Sequence, residues 1–146
     1  MFRAVSEQVR ARFMEAFRWR RGDWAFIRGA HSEEEVYPMS EDPYEILRDV
    51  AFSTHHAEIE SVLAPHFERV VVRDRTGPSV DSFRLPQDAQ RLVDSIKGDA
   101  TLGGLIGEIS KSGADVETAY RTFYLGVASG FLRTSPTRSD GAFISN

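Results

Sequence analysis

Apolar positions recur along this chain with a period near 3.6 for most of its length. Val5, Val9, Phe13, Ala16 and Phe17 are spaced by three and four, which predicts an amphipathic helix over residues 3–17. The pattern then changes to alternation. Phe17 and Trp19 alternate with arginines, and Trp24 and Phe26 alternate beyond the turn at Gly22-Asp23, which predicts a β-hairpin with one aromatic and one arginine-rich face. Residues 30–41 are a polar connector, ended by Asp42-Pro43, an N-cap followed by proline at the first helical position. Ile46, Leu47, Val50, Ala51, Ile59, Val62 and Leu63 hold the helical period as far as Pro65. The middle, Phe52 to His56, is less helical, so this stretch reads as one long helix or two with a break.

The remaining pattern is punctuated more sharply. Val70-Val71-Val72 predicts a strand within residues 67–73, and Gly77-Pro78 marks a loop over 74–82. Leu85-Pro86 opens a helix with Ala89, Leu92, Val93 and Ile96 inward and Gly98 as its stop. Thr101 caps a second helix (Leu102, Leu105, Ile106, Ile109), and Asp115 caps a third (Val116, Ala119, Tyr120, Phe123, Val127) that stops at Gly130. Phe131-Leu132 begins a strand for which Ala142-Phe143-Ile144 could supply a hairpin partner. The expected class is α+β, helices with short hairpins and winged-helix-like units at both ends. Residues 1–41 form the first unit with its connector, and 42–146 the second, over one shared core. Phe13, Phe17, Trp24, Phe26, Ile46, Leu92, Leu105, Phe123 and Leu132 are the expected core.

Three stretches resemble the PATAN (PatA N-terminal-type) domains of bacterial signalling regulators. Phe17-Arg18-Trp19-Arg20-Arg21-Gly22-Asp23-Trp24-Ala25-Phe26, followed by Pro43-Tyr44-Glu45-Ile46-Leu47, is similar to their "W-x-x-G-x-F-x-F" hairpin and trailing helix. Residues 92–105 are similar to their "l-x-x-I-D-G-x-x-T-l-x-e-L" helical pair, and residues 119–132 to their "x-a-L-y-x-L-x-x-x-G-l-l" ending. The matches are short and cover about half the chain. Lys97-Gly98 stands where the pattern often has Asp-Gly, and the usual N-terminal portion has no counterpart, which suggests a chain cut from a longer protein. The resemblance implies protein–protein interaction in signalling, sometimes in motility or pilus machinery, and brings no catalytic residues.

Composition narrows the chemistry. The 146 residues contain no cysteine, which removes disulfides, thiolate nucleophiles and cysteine zinc sites. No apolar run approaches a membrane span, and Met1 to Glu7 has no apolar signal core, so a cytoplasmic protein is expected. Sixteen of the eighteen basic residues are arginine, a bias associated with GC-rich bacterial genomes. Charge is unevenly spread: residues 1–30 carry a net +4 and residues 31–50 a net −6, so the two segments are expected to attract one another.

Candidate chemistry is thin. His56 and Glu60 have the i, i+4 spacing of a metal pair, with His55 and His66 nearby, but two ligands do not close a site. Glu33-Glu34-Glu35 lies in a polar connector, where ordinary ionisation is expected, and there is no Gly-x-Ser-x-Gly elbow. Gly98 to Gly104 meets a helix start but lacks the Lys-Ser/Thr of a phosphate loop. The remaining candidate is Arg18, Arg20, Arg21 and Arg28, backed by Arg10 and Arg12, a cluster suited to carboxylates on a protein partner. A wing of this kind can also contact DNA phosphates, yet the chain is acidic overall, at −4. The expectation is therefore a non-enzymatic adaptor with no metal or cofactor and a protein partner, with self-association left open. The alternative is a winged-helix nucleic-acid binder.

Overall fold

Local capping fixes several element boundaries in the computed structural model, which describes residues 2–16 and 42–136. Helix α1 spans Phe2–Ala16. Helix α2 spans Pro43–Ser53, with the Asp42 carboxylate accepting from the Tyr44 N–H at 2.9 Å. It ends where Thr54 and His55 turn extended (ψ 140° and 139°), so the long helical pattern resolves into two helices. Ser53 and Thr54 both direct their hydroxyls back to the Val50 carbonyl, which competes with further helix at that point. Helix α3 spans His56–Leu63 and tightens into a 3₁₀ turn, Ala64–His66. Strand β1, Arg69–Arg73, therefore starts two residues later than the valine pattern allowed, because Phe67 still has helical dihedrals.

After β1 the chain makes a 3₁₀ turn at Val80–Phe83 and enters α4, Gln87–Ser95. Helix α5, Leu102–Ser112, is capped by Thr101, whose Oγ1 accepts from the Gly104 N–H at 3.1 Å. Helix α6, Val116–Ser129, is capped by Asp115. Gly113 and Gly130 end α5 and α6 in the left-handed region, where L side chains are costly. Helix α4 closes on Ile96, and its left-handed Gly98 lies two residues beyond that cap. Strand β2, Leu132–Pro136, then pairs antiparallel with β1, setting Val71 opposite Thr134 and Arg73 opposite Leu132. A single bridge, Val70 to Thr101, joins the other side of β1. The result is an α+β fold, mostly helical with a two-stranded antiparallel sheet among the described residues.

Helix α6 is the centre of the packing and touches α2, α3, α4, α5 and β2. Its Phe123 is fully buried with Ile59, Leu63, Val71, Phe83, Val93, Leu102, Phe131 and Leu132. Thr122, the one buried polar residue among those described, gives its hydroxyl hydrogen to the Thr118 carbonyl at 2.6 Å. Gly126 lets β2 fold back closely: a Cβ there would come within 2.5 Å of Leu132 Cδ1 and 2.9 Å of the Phe131 ring. Of the expected core, Ile46, Phe123 and Leu132 are buried. Leu92 and Leu105 are only half-buried at the edge of the cluster, Leu92 beside an open furrow between α4, α5 and α6. Phe17, Trp24, Phe26 and the Phe13 side chain lie outside the described residues, as do both expected hairpins' partner strands at 17–27 and 142–144.

Candidate functional site

The arginines expected to meet a partner, Arg18, Arg20, Arg21 and Arg28, lie outside the described residues. Of the two that back them, Arg12 pairs within α1 with Glu15. Arg10 forms an ion pair with Asp49 of α2. Asp49 belongs to the acidic segment, so this contact joins the two oppositely charged stretches. Asp49 also accepts from Arg48 at 2.9 Å, and Arg48 Nη1 donates to the carbonyls of Phe83 and Arg84 at 3.2 and 2.9 Å. One guanidinium thus ties α2 to the turn after β1, where Arg84 takes a left-handed φ of 46°.

The histidines separate instead of converging. His55 lies in extended backbone ahead of α3, and His56 is the first residue of the helix. His56 Nδ1 lies 2.7 Å from Glu117 Oε2 on α6, and Glu117 Oε1 in turn accepts from Arg121 at 3.0 Å. The His56 ring meets Tyr120 edge-on at 4.6 Å, and Tyr120 meets Phe67 in the same way. Burial, reinforced by Glu60, pushes the Tyr120 phenol up, and burial with Glu58 does the same to Tyr124. Both phenols therefore remain protonated donors. His66 is elsewhere, 2.7 Å from the Thr134 hydroxyl beside the sheet. Among the described residues no three histidine or carboxylate side chains gather as metal ligands. Together these contacts make a ladder across the α3–α6 interface, suited to holding two helices in register.

The glycine-rich stretch is occupied by its own chain. Thr101 takes the Gly104 N–H, and the Gly103 N–H donates to the Phe67 carbonyl at 3.0 Å. A Cβ at Gly103 would come within 3.3 Å of that carbonyl, so the glycine allows close approach of α5 to the end of α3's turn.

Two concave places stand out among the described residues. One is an apolar furrow of about 380 Å³ between α4, α5 and α6, with Leu92, Ile109 and Ala119 below a rim of Asp88, Arg91 and Asp115. The other is a cleft of about 660 Å³ at the end of β1. Val72 and Val80 are the accessible part of its apolar floor, with Ile96 and Phe131 nearly buried, and its rim carries Arg73, Arg75 and Lys97. The sequence reading missed this cleft. Its cations are scattered over 73–97 and form no run; the signals were the Gly77-Pro78 turn and Gly98, which bring two loops together.

Among the described residues no helix is long and apolar enough to cross a membrane. No protein-family model, curated protein or solved structure matches the chain.

Proposed function

We propose that this chain is a non-enzymatic interaction module, of the PATAN type, in a bacterial signalling or motility regulator, acting in the cytoplasm. The observation that carries the reading is the position of α6, the helix that a winged-helix binder would lay in a DNA groove. Of its fourteen residues only Ala128 is exposed. A reading helix needs an open face with several basic or amide side chains. Here the sole basic residue of the helix, Arg121, is paired with Glu117, and neighbouring elements cover the rest. The field also opposes DNA: residues 42–136 hold fourteen carboxylates and ten basic side chains.

The partner surface in this reading is the arginine group Arg18, Arg20, Arg21 and Arg28, which would pair with carboxylates of another protein. The test uses the tagged full chain in its native host, crosslinked in the cell, with Arg18→Glu/Arg20→Glu as the comparison. The expected result is one protein partner captured by the parent chain and lost from the variant, with an unchanged melt. Equal capture by both would refute the arginine surface. Duplex DNA binding that survives physiological salt, lost on the same substitutions, would favour the nucleic-acid alternative.

A further inference from the structure

The cleft at the end of β1 lies between two loops, one of which is tied down by hydrogen bonds of its own chain. On one side the chain leaves Arg73 and turns through Asp74 to Val80. The Asp74 carboxylate accepts from the Thr76 N–H at 2.9 Å and the Thr76 hydroxyl at 2.6 Å, closing a turn of its own. The Asp74 N–H donates to the Phe131 carbonyl at 2.9 Å, anchoring the loop to the start of β2. Gly77 is pressed against the end of α6, where a Cβ would come 2.2 Å from the Gly130 oxygen. On the other side Gly98, at φ 84°, lies over Val72, with 3.4 Å between an added Cβ and Val72 Cγ1.

Charge in this cleft runs against the rest of the molecule. Arg73, Arg75 and Lys97 line it, although the described chain is acidic. Among the described residues neither Arg75 nor Lys97 has an ion-pair partner. Arg73 reaches Asp94 at 3.5 Å in a half-exposed pair, the kind that is weak and readily exchanged. Asp74 is the one carboxylate in the lining, and its oxygens are engaged by Thr76 and lie 3.9 Å from Arg133. Cations from two segments of the chain, 73–75 and 97, therefore outnumber the one carboxylate around a concave space that also has apolar lining.

The geometry points to this cleft as a binding site for a nucleotide, a nucleoside diphosphate in size. Its phosphates would bridge Arg73 and Arg75 to Lys97, and its base would lie on Val72, Ile96 and Val80. Arginine suits bidentate phosphate contact, and lysine supplies a point charge that can follow the second phosphate. The volume falls inside the usual range for small-molecule sites. This site uses none of the arginines of the interaction reading, so either can fail without the other.

The test is calorimetric titration of the full chain, near physiological salt, with ADP, with inorganic pyrophosphate and with hexaglutamate. ADP should bind several-fold more tightly than either of the others, since only ADP uses both the rim and the floor. Lys97→Glu and Arg75→Glu should each weaken ADP by about tenfold or more, the scale of one lost charge-assisted contact. Both variants should melt like the parent, and Lys97→Arg should retain binding. Binding of pyrophosphate or hexaglutamate equal to that of ADP would overturn the proposal, as would ADP affinity indifferent to both charge reversals.

Discussion

Helix α6 meets its neighbours in two different ways. Toward α3 it sets Glu117, Tyr120, Arg121 and Tyr124 near His56, Glu58 and Glu60, in directional contacts that stay partly wet. Toward α4 and α5 it sets Ala119 and Thr118 beside Leu92 and Ile109, while Phe123 sinks into the common core. The two sides differ in what they supply. Removing apolar area from water is roughly additive and large, about 1.5–3 kcal/mol for a fully buried large side chain. A half-exposed ion pair contributes much less, about 0–1 kcal/mol. The apolar contacts, to which α3 adds the buried Ile59 and Leu63, therefore supply most of the stability, and the polar contacts add direction at the wet edge of the α3–α6 interface.

The largest expected effect breaks the apolar side. Phe123→Ala should cost ~3–5 kcal/mol, read as a lowered denaturation midpoint, since Phe123 is 0% exposed and its neighbours cannot all close the gap. A loss below about 1 kcal/mol would mean that the core does not depend on α6.

A middle effect concerns the start of α6, which belongs to both sides. The Asp115 carboxylate accepts from the Glu117 N–H at 3.0 Å and the Thr118 hydroxyl at 2.5 Å. Asp115→Ala should cost roughly 1 kcal/mol, as other lost N-caps do. The Thr118 hydrogen bond, above all, holds this carboxyl below its ordinary value of 3.8, and Thr76 does the same for Asp74. A depressed folded-state pKa contributes stability that is fully present above the unfolded value and is lost as pH falls through the folded one. The melting temperature of the parent should therefore fall as the pH drops below about 4, the unfolded range. In Asp115→Ala part of that fall should vanish; an unchanged acid slope would remove Asp115 from the account.

The smallest effect sharpens the polar side. His56→Ala, Glu117→Gln and the double variant form a cycle whose coupling should be about 0–1 kcal/mol, because both side chains are more than a third exposed. A coupling of several kcal/mol would erase the distinction between the two sides.

The points at which sequence and structure part follow the same division. Asp42, Thr101 and Asp115 were legible as caps because each contact lies within three residues of the capping side chain. Gly113 and Gly130 end their helices for an equally local reason. The His56–Glu60 spacing, by contrast, suggested a pair within one helix, and the structure turns His56 to Glu117, 61 positions away. Leu92 looked like core by its period, yet period reports only which face of a helix is apolar and not whether a neighbour covers it. The cationic cleft was invisible because its walls come from two loops that only the fold brings together.

By itself the sequence determined an α+β class, the helix starts at Asp42, Thr101 and Asp115, the break-prone stretch near Ser53 and an acidic, cysteine-free chain. These properties rest on dihedral preferences, on hydrogen bonds a few residues long and on composition, and none requires a distant partner. The tertiary structure alone decided that β2 pairs with β1 across three intervening helices, that α6 is enclosed, and that Arg73, Arg75 and Lys97 share one cleft. Strand exchange partners and cleft walls depend on which surfaces meet, and many surfaces of similar apolarity compete for each place. That competition is settled by packing the whole chain at once, with Gly77 and Gly126, among the described residues, where an added side chain would collide with its neighbours.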